Sequence, residues 1–246
     1  MHVSSLLAAA AVIAPALAQL SGKVGPLTTL AEKAKKKCSV LDHGGKADKS
    51  TDLAPALLAA FAACKHGGVV VIPPGDYALQ TWVDLAGGKK WALQLDGIIY
   101  RTGSASGHML LIRNTHDFEM FSSTGKGAIQ GYGFEEHKKG NRKGARLLRL
   151  EKISDLSVHD FVLVDAPMFH FVMYGVSNGE AYNMAIRGGD WGGLDGMSVI
   201  GDNVWVHDIM VTNKDESAAA QSAPSPPTPT SPPSPTATST AGNPTI

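Results

Sequence analysis

The sequence has no excess of charge of either sign, because 22 Lys and Arg residues balance 22 Asp and Glu residues. A nucleic-acid-binding domain needs a basic patch or stripe, so nucleic acid is not expected as a partner. After the first eighteen residues no hydrophobic run is long enough to cross a bilayer, and we expect no membrane insertion. What remains is a chain with 43% apolar residues, enough for one globular core.

The apolar residues 1–18 end in Ala16-Leu17-Ala18, which predicts a secretory signal peptide cleaved before Gln19; a buried helix is the alternative. Cysteine is also scarce. An even count of two in a secreted protein favours a disulfide between Cys38 and Cys64, although two free thiols remain possible. The bond would close a loop of about 25 residues and contribute on the order of 3 kcal/mol in the chain-entropy model.

One helix is predicted near the N-terminus, after a lysine-rich entry arm that should be solvated. A strand over Cys38–Leu41 precedes it, Ser50 is the expected N-cap, and a strand over Val69–Ile72 follows. The apolar positions of the helix recur at helical spacing; they are Leu53, Ala56, Leu57, Ala60, Phe61 and Cys64.

The rest of the chain shows short strands in a repeat. Val158–Ala166, Tyr182–Asp190 and Val206–Asp215 share one scheme at offsets of 23 and 25 residues, and a weaker copy relates Leu110–Phe121 to Leu148–Phe161. A fixed period of this length without intervening helices predicts an all-β solenoid, a right-handed parallel β-helix with one short N-terminal cap helix. A β-sandwich is the alternative. The segment 131–146 breaks the period and is predicted to be an inserted loop, whose basic residues are solvated or attract an acidic substrate.

Three carboxylates stand close together in this scheme. Asp195 lies on a glycine-flanked turn, and Asp215 and Glu216 are adjacent about one repeat later, so the three can converge on one groove. Such a set suits glycosidic bond hydrolysis, in which one carboxyl group protonates the leaving oxygen and others activate water. Surface aspartates at turns are the alternative explanation.

The stretches "QLDGIIYRTG", "SVHDFVLVDAP", "AYNMAIRGGDWGGLDG" and "NVWVHDIMVTNKDE" resemble the fungal rhamnogalacturonases of glycoside hydrolase family 28. The resemblance implies a pectin-lyase-like β-helix that hydrolyses galacturonic acid–rhamnose bonds of rhamnogalacturonan with inversion. It implies Asp215 as the general acid, Asp195 and Glu216 as the groups that activate water, and no metal or other cofactor. A non-catalytic fragment that binds cell-wall polysaccharide and a polysaccharide lyase on the same fold are the alternatives.

Other marked residues have weaker assignments. Trp191 could stack on a sugar ring and Arg187 could pair with a uronate, whereas His159, His170 and His207 are expected to be packing or ladder residues. The resemblance ends after Glu216, so we expect an incomplete β-helix over residues 19–217. A disordered Pro/Ser/Thr-rich tail over residues 218–246 should follow. The expected product is a secreted, extracellular monomer that is weakly active or inactive in this form.

Overall fold

The structure is a computed structural model that describes residues 22–141, 143–188, 196–213 and 218–222. The predicted signal peptide, residues 1–18, lies outside these ranges. The helices are α1 (Leu30–Lys33), α2 (Ala54–Cys64) and α3 (Gly133–Lys138), with a 3₁₀ turn at Val40–His43. The strands are β1 (Lys37–Ser39), β2 (Asp48–Asp52), β3 (Val69–Ile72), β4 (Asp76–Leu79), β5 (Val83–Ala86), β6 (Lys89–Leu95), β7 (Ile98–Arg101), β8 (Gly107–Phe121), β9 (Ala128–Gln130), β10 (Ala145–His159), β11 (Val162–Val164), β12 (Phe171–Arg187), β13 (Met197–Thr212) and β14 (Ala218–Ser222).

The strands form a parallel β-helix with three faces. The pairings between named strands are all parallel. The first face carries β5, the beginnings of β8, β10, β12 and β13, and β14. The second carries β1, β3, β6 and the later parts of β8, β10, β12 and β13, and the third carries β2, β4, β7, β9, β11 and the ends of β12 and β13. The expected solenoid is therefore confirmed.

The strand register confirms the repeat predicted from the sequence. Val158 pairs with Ala181 and Ala181 with Val206, which are the offsets of 23 and 25 residues. The weaker copy is also correct, because Leu110 pairs with Leu148. Each coil therefore stacks equivalent apolar residues on one another inside the helix.

A β-bulge shifts the register on the first face by one residue. Phe171 pairs with Met197, whereas the sequence alignment had placed it on Gly196. The irregularity lies at Gly175, whose φ of 63° is a left-handed conformation that glycine adopts without steric cost. The equal spacing expected from the sequence is therefore restored only after the bulge.

The long strands turn between faces at polar residues in the left-handed conformation. Asp155, Asn178 and Asn203 occupy one such corner on successive coils, with φ values of 56°, 51° and 52°. Asn and Asp tolerate this conformation better than other non-glycine residues. The Nδ2 atom of Asn203 donates to Oδ1 of Asn178 at 2.9 Å, and that of Asn178 donates to Oδ1 of Asp155 at 3.1 Å. These bonds connect one coil to the next.

Helix α2 closes the N-terminal end of the solenoid, and its six predicted apolar positions are all buried. The predicted N-cap is wrong, because Ser50 belongs to β2 and the helix begins after Leu53 without a side-chain cap. Asp52 instead accepts a hydrogen bond from the backbone N–H of Ala54 at 3.2 Å and one from Gln80 at 3.0 Å. The strand expected over Cys38–Leu41 is shorter than predicted, since β1 ends at Ser39.

The expectation of one helix is also incomplete. Helix α1 has four residues and follows Thr29, whose side chain and that of Glu32 form a capping box. Helix α3 has six residues and lies within the inserted segment 131–146 that was predicted to be a loop. Both helices are too short to give a clear apolar period in a sequence. Of the helices in the described ranges, none is long and apolar enough to span a membrane.

The N-terminal arm, residues 22–36, crosses the outside of the second face and is not simply solvated. Lys33 is 1% exposed, and its Nζ atom lies 3.3 Å from Oδ1 of Asp117 and 3.9 Å from Oε2 of Glu119. Asp117 also accepts hydrogen bonds from the backbone N–H groups of Leu27 at 3.1 Å and Thr28 at 3.0 Å, and from the Thr28 hydroxyl. The prediction of a solvated arm is therefore wrong for Lys33, because a distant carboxylate compensates its burial.

Strand β14 extends the solenoid beyond the predicted boundary between β-helix and tail. Ala218 pairs with Met197 and Ser222 with Gly201. Proline first occurs in this part of the chain at Pro224, so each residue of β14 retains the N–H group that a ladder requires. Ala218–Ser222 therefore differs from the expected disordered tail, and residues 223–246 lie outside the described residues.

The predicted disulfide is present, with Cys38 and Cys64 joining β1 to the end of α2 across 26 residues. We expect reduction of this bond to lower the free energy of unfolding by about 3 kcal/mol, because it releases loop-closure entropy in the unfolded chain. Urea unfolding with and without reductant measures the effect. The Cys38→Ala/Cys64→Ala variant is the control and should not respond to reductant. Equal stability of the wild-type protein in both conditions would contradict the expectation.

Candidate functional site

A groove of about 420 Å³ lies on the outside of the first face. It is lined by residues of β8, β10, β12, β13 and the turn before β12: His108, Arg146, Arg149, Phe169, Val172, Tyr174, Ser198 and Ile200. The groove therefore crosses four consecutive coils, which is the shape that an extended chain-like ligand requires.

Strand alternation places these side chains outside while the apolar ones fill the core. In β10, Leu148 and Leu150 are buried and Arg149 points outward between them. The parallel register then stacks Arg149, Val172 and Ser198 in one row across three coils. A second row begins with His108, which pairs with Arg146. The positions of the two arginines thus follow from the pleat and from the coil register together.

Each arginine in the groove lies against an aromatic ring. The Cζ atom of Arg146 is 5.4 Å from the ring centre of Phe169, and that of Arg149 is 5.0 Å from the ring centre of Tyr174. Arg149 also donates from Nε to Oε2 of Glu151 at 2.7 Å. Tyr174 is 43% exposed. The groove thus offers guanidinium groups, which bind carboxylates in a planar geometry, beside aromatic faces that suit sugar rings.

His108 is held in its neutral form by its surroundings. Burial and the positive charges of Arg149 and Arg146 lower the pKa of His108 to about 4. Its Nδ1 atom is buried and makes no hydrogen bond within the described part of the chain. The groove therefore contains a neutral imidazole between two permanent cations at neutral pH.

Most of the predicted site residues lie outside the described residues. These are the three carboxylates, Asp195, Asp215 and Glu216, and the candidate sugar-stacking residue Trp191. Arg187 is described: it ends β12, is exposed, and pairs in register with Val164 and Thr212 on the third face. It does not line the groove.

The histidines expected to be ladder residues are confirmed for two of the three. His159, Tyr182 and His207 stack on successive coils, with ring centres 4.6 Å and 5.1 Å apart and nearly parallel planes. Burial acts to lower the pKa of His159, but hydrogen bonds to Glu119 and Asp160 outweigh it and raise the pKa. His170 is buried, and it accepts a hydrogen bond from the backbone N–H of Ala166 at 3.2 Å.

A second groove, of about 290 Å³, lies at the corner between the second and third faces. Its polar lining residues are Asp160, Asn183 and Asp208, which stand at equivalent positions on three coils. Asn183 donates from Nδ2 to Asp160. These groups serve the turn itself, so the first groove is the better candidate for ligand binding. Within the ranges that the structure describes, no group of three His, Cys, Asp or Glu residues could hold a metal ion.

The groove residues His108, Arg146 and Arg149 were not predicted from the sequence as site residues. A signal was present in "ARLLRLE" (residues 145–151), where arginines interrupt an otherwise apolar strand. One arginine in such a strand is consistent with an ordinary solvated position. Only the coil register shows that the two arginines of β10 lie beside a histidine of β8.

Comparison with solved structures identifies the class of fold. The endo-xylogalacturonan hydrolase of Aspergillus tubingensis matches with a TM-score of 0.65 at 20% identity, over 76% of this chain and 56% of that chain. The polygalacturonase of Erwinia carotovora matches with a TM-score of 0.59 at 14% identity, over 80% of this chain and 61% of that chain. The protein therefore has the right-handed parallel β-helix that glycoside hydrolases of family 28 share.

Sequence comparison gives the particular relationship. The chain is 60% identical over 225 residues to rhamnogalacturonase A of Emericella nidulans, covering 90% of this chain and 44% of the relative. It is 62% identical over 208 residues to a probable rhamnogalacturonase B of Aspergillus fumigatus, covering 84% and 40%. No family model matches the chain. The chain is a homologue of the fungal rhamnogalacturonases, and it spans about two fifths of the length of these relatives.

Proposed function

We propose that this chain acts in the hydrolysis of rhamnogalacturonan, at the bond between galacturonic acid and rhamnose. The observation that carries this proposal is the 60% identity with a rhamnogalacturonase over nine tenths of the chain. The groove supports it, since it combines arginines for uronate carboxylates with aromatic rings for sugar faces. The protein would act as a secreted monomer, with residues 1–18 removed as a signal peptide and without a metal or other cofactor.

Asp215 is the proposed general acid, and Asp195 and Glu216 are proposed to activate the attacking water. Asp195 stands three residues before Ser198, which lines the groove. Met197 and Ala218 pair in register, so the chain enters β13 and β14 at the same level, two residues after Asp195 and two after Glu216. Two residues of chain reach at most about 7 Å. The covalent chain therefore keeps both carboxylates near the same end of the first face.

Chemistry on this site would be acid–base catalysis with inversion. Asp215 would donate its proton to the leaving glycosidic oxygen while Asp195 and Glu216 hold and deprotonate water on the opposite side of the sugar ring. Nearby like charges raise the pKa of one carboxyl group and keep it protonated at the working pH. Trp191 and Arg187 are proposed to contact the sugar ring and a uronate, respectively.

The test is an assay of the secreted chain on rhamnogalacturonan with two readouts, new reducing ends and ultraviolet absorbance. We expect new reducing ends without ultraviolet-absorbing products, because hydrolysis leaves no double bond. Unsaturated products would identify the lyase alternative. Binding to the polysaccharide without any cleavage would identify the non-catalytic alternative, and cleavage of homogalacturonan alone would replace the proposed bond by another.

A further inference from the structure

The groove on the first face contains positive charge that is not neutralised by the described residues around it. Arg149 pairs with Glu151 at 2.7 Å. Arg146, by contrast, has no carboxylate within ion-pair distance among residues 22–141, 143–188 and 196–213; its described contact is with the ring of Phe169. A partly enclosed guanidinium without a counter-ion favours binding of an anion.

The neighbouring strands supply no further negative charge to this point. On the β5 side, Asp84 makes a bidentate contact with Arg113, at 3.0 Å and 2.8 Å, so its charge is already paired. On the β10 side, Glu151 is the carboxylate that acts on His108, and Arg149 and Arg146 act on it with the opposite sign and more strongly. The field at the imidazole is therefore positive.

His108 adds an unused hydrogen-bonding atom to the same place. Its Nδ1 atom is buried and has no hydrogen-bond partner in the described part of the chain. A buried polar atom without a partner is costly, by about 1–3 kcal/mol. A bound group that accepts a hydrogen bond from the imidazole would remove this cost and would also meet Arg146.

We propose that His108, Arg146 and Arg149 form a subsite for the carboxylate of a galacturonate residue, and that His108 takes up a proton when this carboxylate binds. This inference rests on the proposed function, because the acidic sugar is part of the proposed substrate. Phe169 and Tyr174 flank the arginines and would cover the sugar ring whose carboxylate they hold. The subsite lies on β8 and β10, up to two coils away from β13 and β14. The three residues are therefore binding residues and take no part in the chemical step.

Proton uptake follows from charge. In the free protein the pKa of His108 is about 4, so the imidazole is neutral between pH 5 and 7. A bound carboxylate stabilises the protonated imidazole and raises this pKa, while a sugar carboxylate itself stays ionised in that range. Affinity should therefore increase as the pH falls from 7 to 5, about tenfold for each unit by which the bound pKa exceeds the pH.

The experiment uses the whole chain and a pair of matched ligands. Trigalacturonate carries the carboxylates and lacks the galacturonate–rhamnose bond, and α-1,4-galactotriose differs from it in lacking the carboxylates. Calorimetric titration at pH 7 should give binding of trigalacturonate at least tenfold tighter than that of galactotriose. Arg146→Gln should weaken trigalacturonate binding about tenfold or more. Arg113→Gln, which removes a paired arginine of the same face outside the groove, should change it less than twofold.

The pH arm isolates the histidine. The affinity of the wild-type protein for trigalacturonate should increase between pH 7 and pH 5, with proton uptake detected in buffers of different ionisation enthalpy. His108→Gln should retain binding but lose both effects. Titration of His159 is common to both proteins and cancels in the comparison. Equal pH dependence in the two proteins would overturn the role of His108.

Failure of this inference can be distinguished from failure of the proposed function. Equal affinity for the two trisaccharides, or an unchanged affinity of Arg146→Gln, would overturn the subsite even if the chain hydrolyses rhamnogalacturonan. Carboxylate-dependent binding that is lost in Arg146→Gln would support the subsite even if no hydrolysis were found. Circular dichroism of each variant shows that a loss of binding does not come from a loss of fold.

Discussion

Asp215→Asn is expected to lower the rate of rhamnogalacturonan hydrolysis at least 100-fold, which is a typical loss when a general acid is removed. The asparagine side chain has nearly the same shape but no proton to donate to the leaving oxygen. Binding should change little, so the loss should appear in kcat while KM stays within a few-fold of its wild-type value. The measurement is reducing-end release over a range of substrate concentrations.

Asp202→Asn is the matched control. Asp202 is an exposed aspartate of β13 that pairs in register with Ser177 on the second face, away from the groove. It undergoes the same chemical change, so it should retain the wild-type rate. Near wild-type turnover of Asp215→Asn would exclude Asp215 as the acid. A loss in Asp195→Asn or Glu216→Gln with Asp215→Asn unaffected would assign the proton donor to another carboxyl group.

Asp117→Asn is expected to destabilise the fold by about 3 kcal/mol, because it removes one partner of a buried ion pair and leaves Lys33 without its main counter-charge. Both side chains are at most 1% exposed. Asparagine suits the backbone at this corner, where φ is 53°, and the following coils already carry Asn178 and Asn203 at equivalent corners. The variant therefore removes charge without adding backbone strain. Urea unfolding measures the loss.

Asp155→Asn provides the comparison, since Asp155 stands at the same corner one coil later and accepts one hydrogen bond, from Asn178. It should cost at most about 1 kcal/mol. Hydrogen exchange should show faster exchange in residues 22–36 of Asp117→Asn and no change in Asp155→Asn. Equal losses in the two variants would mean that the ion pair does not hold the N-terminal arm.

The same pair predicts a pH dependence. Burial acts to raise the pKa of Asp117, but hydrogen bonds from Thr28 and the charge of Lys33 outweigh it and lower the pKa below its ordinary value of 3.8. A lowered folded-state pKa gives stability that is present above the unfolded value and is lost as the pH falls through the folded value. The stability difference between the wild-type protein and Asp117→Asn should therefore be constant between pH 5 and 7 and should decrease below about pH 3.8. A difference that persists undiminished in strong acid would contradict this origin.

The repeat alone was enough to predict the solenoid. Offsets of 23 and 25 residues, with Asp160, Asn183 and Asp208 at one position of each copy, are a local pattern that each coil imposes on the next. Helix α2 was equally legible, because its apolar positions follow the helical period over eleven residues. The disulfide followed from the scarcity of cysteine, since only one pair was available.

Other features depended on residues that the sequence keeps far apart. Lys33 reads as one lysine of a solvated arm until Asp117 comes against it, and Thr28 bonds the same carboxylate from 89 residues away. The groove likewise exists only because β8 and β10 pair at an offset that the insertion of residues 131–146 conceals. Periodicity records the contacts that every coil repeats. The burial of a charge or the assembly of a subsite is a single long-range contact, and its energy depends on partners that no local pattern specifies.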